Sequence, residues 1–467
     1  MRMLRGGSLL LILIFLFSCI SGCGNAATLP TGTREPLPPL EEREPTTDGV
    51  DYSLLHKTAF AEAVTLDETV LTYEKNATGV TVTKYTGSET RIALPASLGG
   101  KPVTAIAERV FANRESLELV ILPDSLETLG EGILAGCSSL KALRTPLLGA
   151  NAKAEAYLAY LFGGDSYTAN AMKVPATLEF LEIGGKMTSL PAYALFDCND
   201  LGCLWFANGL TSIGDYALFG CTSLKYLPTG NLVTLGTYAL SSCSSLLQME
   251  FTEATRSLGF GALEGCRSLR RLVLPFVGGS ATEHSYLGYV FGAEVPDFSK
   301  GYYPPHLQEV VILEGCTSLG SYAFYECSTL QWVTLPVTLQ SIGVRAFAKC
   351  TSLVELTFPK SLTAIRENAF FGCARLQKVA LESTSLTSLG INAFYDCVAL
   401  TEVNLPTTLL SLPASCFAGC EGLRSLDLGG VTQVGKNAFY RCNALESIAS
   451  HGAVSFEDGN DAAEKRN

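Results

Sequence analysis

The chain has 467 residues, of which 47% are hydrophobic and 17% charged, with a net charge of −12. Lys and Arg form no basic run, so the acidic balance argues against a nucleic-acid partner, which needs a basic excess on some face. The length would allow two or three ordinary domains, but the repeats described below absorb most of it.

Residues 1–22 read as an export signal. Arg2 and Arg5 form a basic start, Leu9 to Phe17 an unbroken apolar run, and Ile20-Ser21-Gly22 bring small residues up to Cys23. This arrangement resembles the lipobox of bacterial lipoproteins, with Ile20 where Leu is commoner. The resemblance implies lipidation at Cys23 and a mature protein anchored to a membrane. The apolar run is too short to span one. Residues 23–51 read as a tether: Pro30, Pro36, Pro38, Pro39 and Pro45 sit among Thr and Glu, and such a stretch stays extended because it has little apolar surface to bury.

From residue 101 to residue 449 one phrase recurs. Cys137, Cys198, Cys221, Cys243, Cys266, Cys327, Cys350, Cys373, Cys397, Cys420 and Cys442 share one phase, spaced 22 to 24 residues apart except for two gaps of 61. Within one unit, Leu330, Val333 and Leu335 are spaced as a short strand that Pro336 ends. Leu339 and Ile342 begin a second extended piece closed by Gly343, and Ala346-Phe347 lead through a compact turn into Cys350. The period predicts a solenoid in which each coil buries its apolar face only against its neighbours. Arg114 stands at the first cysteine phase.

The two long gaps hold insertions near 145–177 and 274–306, and their surroundings align at an offset of 129. Tyr157-Leu158-Ala159-Tyr160-Leu161-Phe162-Gly163 matches Tyr286-Leu287-Gly288-Tyr289-Val290-Phe291-Gly292, so a block of several repeats has been duplicated with its insertion. Long loops in a solenoid are either functional or capping, and both readings stay open. Residues 450–467 are polar and read as a disordered tail.

The cysteine row allows disulfides, metal ligation or buried thiols. Equivalent side chains of stacked coils point the same way, which suits a bridge poorly. Eleven is an odd number, and no Cys-x-x-Cys occurs. Cys316 aligns with Met187, which favours thiols acting as small hydrophobes. The four histidines, His56, His284, His306 and His451, are dispersed, and no nucleophile–base motif appears. We therefore expect no enzyme, cofactor or metal.

The variable residues of the strand phrase should face solvent. They give Trp205, Trp332, Glu355, Lys378 and Glu402 as candidate binding residues, joined by Tyr302 and Tyr303 of the second insertion.

The phrase Leu-x-x-Ile-Gly-x-x-Ala-Phe-x-x-Cys resembles the BspA-like, or treponemal-type, class of leucine-rich repeats over about residues 78–448. Val80 to Ser88 followed by Ile92-Ala93-Leu94-Pro95 resemble its capping segment, placing an N-terminal β cap at 52–100. The resemblance implies a leucine-rich-repeat solenoid, horseshoe-like and β-rich, with coils of about 23 residues made of short parallel strands and short helical or 3₁₀ turns. It also implies adhesion to proteins of host or neighbouring cells. Glycan or cell-wall polymer binding and a structural envelope scaffold remain as alternatives.

Overall fold

The computed structural model describes residues 49–152, 156–185, 187–283 and 285–460. Cys23, with the signal and most of the tether, lies outside the described residues, as do Glu155 and His284 of the insertions and residues 461–467.

Each coil follows from its sequence. In Trp332–Thr334 the middle residue, Val333, points inward, while Trp332 and Thr334 point out, as the two-residue period of a strand requires. The next short strand, Ser341–Ile342, ends at Gly343, where a Cβ would meet the Gly320 main chain at 2.5 Å; a side chain there would push the coils apart. The following turn passes through two left-handed residues, Arg345 (φ 54°) and Lys349 (φ 60°), and drives Phe347 into the centre. There Phe347 stacks on Phe324 at 5.0 Å and on Phe370 at 5.1 Å. The ladder continues through Phe394, Phe417 and Phe439.

Stacking the coils builds two rows of parallel sheet. The first row has three sheets. One runs Val64–Thr65, Arg91–Ala93, Leu119–Ile121, Ala142–Thr145, Phe180–Ile183, Cys203–Phe206; the next runs Gln248–Glu250, Arg271–Leu274, Glu309–Ile312, Trp332–Thr334; the last runs Lys378–Ala380, Glu402–Asn404, Ser425–Asp427, Ser447–Ala449. The ladder is interrupted at the coils carrying Tyr226 and Glu355, two positions 129 residues apart, so the duplication copied the break as well. At the first break, Pro228 lacks the N–H a ladder needs. The second row is made of two-residue strands, most of them Ser-Leu or Ser-Ile pairs.

The described cysteines are all free. They do more than fill space. Each of nine thiols donates to the carbonyl of a turn in the preceding coil, as Cys350 Sγ does to Phe324 O at 3.1 Å and Cys373 Sγ to Phe347 O at 3.1 Å. The left-handed turns leave that inward carbonyl without a strand partner, and a small apolar side chain carrying one donor fits the place. Arg114 does the same work in the first coil, donating to Tyr85 O at 2.8 Å with its guanidinium over the Tyr85 ring.

Three expectations change. The segment 52–100 is not purely β. It opens with a helix, α1 (Tyr52–Ala59), before the antiparallel hairpin Leu71–Lys75/Val80–Tyr85. The insertions do not leave the stack as loops. Leu158–Phe162 and Leu287–Phe291 are 3₁₀ turns that take the place of the helical turn in enlarged coils; Leu134 N donates to Leu161 O, and Leu263 N to Val290 O, both at 2.8 Å. In the first insertion Asn170 is fully buried beside this turn, accepting from Ala159 N at 2.8 Å and donating to Ala194 O of the next coil. The tail is ordered as far as Asn460: Ser455–Phe456 adds a strand to the second row, and Asn460 accepts from Phe439 N and donates to Gly435 O.

Candidate binding faces

The outward residues of the first strand row lie on one side of the solenoid, broken at the coils carrying Tyr226 and Glu355, and the parts before and after the first break differ in chemistry. From Arg91 to Tyr226 they are largely apolar or aromatic, Leu119, Ile121, Ala142, Phe180, Cys203, Trp205 and Tyr226, with the charged Arg91, Arg144 and Glu182 among them. From Gln248 onward they are largely polar: Gln248, Glu250, Arg271, Glu309, Trp332, Thr334, Lys378, Glu402, Asn404 and Asp427.

The first part is covered by the chain itself. Asp51 caps α1, accepting from Ser53 N and Leu54 N at 3.0 Å. Tyr52, Leu55, His56, Ala59 and Phe60 are the partly buried positions of this segment, and they make one stripe at helical spacing. Tyr52 stacks on Tyr226 with centroids 4.3 Å apart. His56 and Phe60 close over Trp205 at 5.0 and 6.3 Å. Beneath them, His56 Nε2 lies 2.9 Å from Oε2 of Glu182, a carboxylate 9% exposed. Arg144 approaches the other Glu182 oxygen at 3.4 Å and donates to Asp124 at 2.9 Å. At the far end Arg91 donates to the carbonyls of Ala59 and Ala61.

Trp205 is therefore no open anchor, although its strand phase does point outward. It is half-buried under α1. The β cap expected over residues 52–100 did not include α1. The signal was present in Asp51 followed by apolar or aromatic residues at i, i+3, i+4, i+7 and i+8.

Beyond Tyr52, where the ladder breaks, an open cleft of about 470 Å³ separates the first sheet from the second. Tyr52, Tyr226, Gln248, Glu250 and Phe251 are among its walls.

The open part carries the remaining strand candidates. Trp332 is half-buried beside Glu309, its register partner. Glu355 stands in the second interrupted coil. Lys378 and Glu402 form an ion pair at 3.1 Å, and Asn404 donates to Glu402 at 2.9 Å. Donation from Asn404 and then Lys378 holds the Glu402 carboxyl below its ordinary range. The tyrosine pair of the second insertion divides. Tyr302 is 42% exposed, whereas Tyr303 turns inward, lies edge-on to Phe291 and donates to Tyr325 O at 3.1 Å. Burial holds the Tyr303 phenol well above its usual value. Its role is packing, because the insertion folds as a coil.

Burial makes the thiols of the described cysteine row poor nucleophiles. Burial pushes Cys137 up to about 11, and Cys266, Cys327 and Cys442 up to about 12, so they stay protonated at neutral pH. Among the described residues no group of His, Cys, Asp and Glu side chains converges as a metal site would.

The family model described as BspA type leucine rich repeat region matches in six copies, over residues 84–156, 169–284 and 317–446. Solved structures with similar folds include a leucine-rich repeat protein from Bacteroides ovatus, 17% identical with a TM-score of 0.34, covering 85% of this chain and 99% of that one. A leucine rich repeat protein of T. pallidum is 16% identical with a TM-score of 0.24, covering 86% and 96%. A leucine rich cell surface protein from Faecalibacterium prausnitzii is 20% identical with a TM-score of 0.23, covering 83% and 95%. Nothing among curated proteins matches the chain.

Proposed function

We propose a function from a plain premise: the chain belongs to the BspA-type leucine-rich-repeat family. It is a non-enzymatic binding module, displayed outside the cell on a lipid at Cys23, that holds protein partners on the open part of its strand face.

The observation that supports this reading is the contrast within one face. The open part presents Trp332, Glu355, Lys378, Glu402, Asn404 and Asp427 in successive coils. An aromatic anchor inside an array of paired charges is the composition of a protein interface, where aromatic residues supply the energy and charges set specificity. Each coil adds two or three outward groups, so a partner is held by many modest contacts. The export signal ending at Cys23 supports display at the surface, and the Pro-rich residues 24–51 give the solenoid reach.

Capture from extracellular and neighbouring-cell proteins by the full chain, repeated with Trp332→Ala and with Lys378→Glu, tests the reading. A protein retained by the parent and weakened by both variants, with the melting transition unchanged, is the expected result. Retention of glycans alone on an array, with every protein unaffected by these substitutions, overturns it.

A further inference from the structure

The helix lying over the first part of the strand face shows what that face is built to hold. We propose that this part is a second binding surface, specific for helical protein segments with aromatic residues at i and i+8 and an imidazole or basic side chain at i+4, and that α1 occupies it as an internal stand-in.

The surface has the parts of a helix-binding groove. Trp205, Tyr226 and Phe180 make an aromatic floor, with Trp205 centred 5.9 Å from Tyr226 and 6.2 Å from Phe180. Glu182 stands in that floor, almost fully buried, beside Arg144, which is itself paired with Asp124. A buried carboxylate facing outward calls for a positive or donating group on whatever covers it. His56 supplies that group, and Tyr52 and Phe60, four residues to either side, supply the aromatic contacts. Anchors spaced by successive helical turns are how an amphipathic helix is read by a groove.

The occupant is lightly held. Not one residue of α1 is fully buried, and Leu54 on its outer side is 59% exposed. Elsewhere every coil seats a Phe, Leu or Cys in the core. Moreover, α1 stops short: the cleft of about 470 Å³ begins at Tyr52, between Tyr226 and Phe251. A partner helix with one more turn before its first aromatic residue reaches that cleft and gains contacts α1 does not make. Such a partner displaces α1 by mass action, because a ligand shifts an equilibrium by its affinity difference between the two states. The inference stands apart from the reading of the open part, whose residues it does not use.

The test uses a fluorescent peptide of residues 49–63 added to the full chain. In the parent, the attached α1 competes at the high effective concentration of a tethered segment, so the peptide binds weakly. In the Tyr52→Ala/Phe60→Ala double variant the attached helix loses both aromatic anchors, and the peptide binds at least tenfold more tightly. Adding Trp205→Ala to the double variant reverses that gain. Trp205 emission in a Trp332→Phe background, which must change as the peptide docks, reports the site directly, and circular dichroism melting checks that the solenoid is intact. Equal affinity for parent and double variant, or a gain that survives Trp205→Ala, overturns the proposal.

Discussion

The covered and open parts of the strand face share one backbone and one inward ladder, Val120, Leu143, Leu181 and Leu204 in the first and Val333, Val379, Val403 and Leu426 in the second. They differ only in what points out. Leu119, Ala142, Phe180 and Cys203, register neighbours on the parallel sheet, would expose a contiguous apolar row beside Trp205, the kind of patch that drives unwanted association, and the chain lays its own helix over part of it. Thr334, Lys378, Glu402 and Asp427 are content in water and stay bare. In a solenoid the core is a property of the repeat, whereas covering is a property of each coil's two or three variable residues.

The comparison assumes a core common to both parts, and the most severe break lies there. Cys373→Asp replaces the donor to Phe347 O with a buried, unpaired carboxylate and should cost several kcal/mol, enough to melt the neighbouring coils. Cys373→Ala should cost about 1–2 kcal/mol, a small cavity plus one weak hydrogen bond. Equal tolerance of both in thermal denaturation would put the thiol row at the surface.

Between those two in size, Phe291→Ala removes a fully buried ring from the second insertion and should cost about 3–5 kcal/mol. An unchanged melting temperature would return the insertion to the status of a loop. At the covered part, Glu182→Ala should leave global melting within about 1–2 kcal/mol, since it removes the partner of both Arg144 and His56. It should also speed trypsin cleavage at Lys57. Cleavage at the parent rate would mean that Glu182 does not hold α1 down.

The smallest effect belongs to the open part. Lys378→Ala breaks an exposed ion pair and should change stability by at most about 1 kcal/mol. The sign with pH is fixed by the depressed Glu402 carboxyl. Its contribution is present above its unfolded value of 4.5 and fades as the pH falls through the lower folded value. A stability loss on raising the pH through the same window would contradict the pairing.

Much of this fold is legible in the sequence. The spacing of Leu330, Val333, Gly343, Phe347 and Cys350 dictated strand, strand, turn and core, because every one of those residues contacts its equivalent one coil away. Nearest-neighbour stacking turns a sequence period directly into a structure. The outward phase of Trp205 and Trp332 was legible for the same reason. Three things were not. Tyr303 and Tyr302 are adjacent in sequence, and only the packing of the enlarged coil against Phe291 separated the buried one from the exposed one. Asn170 looks like an ordinary polar loop residue in the sequence, yet it is buried and bridges the 3₁₀ turn of its own coil to the next coil. And nothing local to residues 52–60 says what they touch.

The period, the inward ladder, the thiol row and the duplication with its offset of 129 were determined by sequence alone, since each is a relation between a residue and its equivalents in neighbouring repeats. The state of the strand face was decided by tertiary structure. Whether a given outward aromatic meets water or the chain's own helix depends on bringing Tyr52, His56 and Phe60 across to Tyr226, Glu182 and Trp205, more than a hundred residues away, and no repeat encodes a contact of that range.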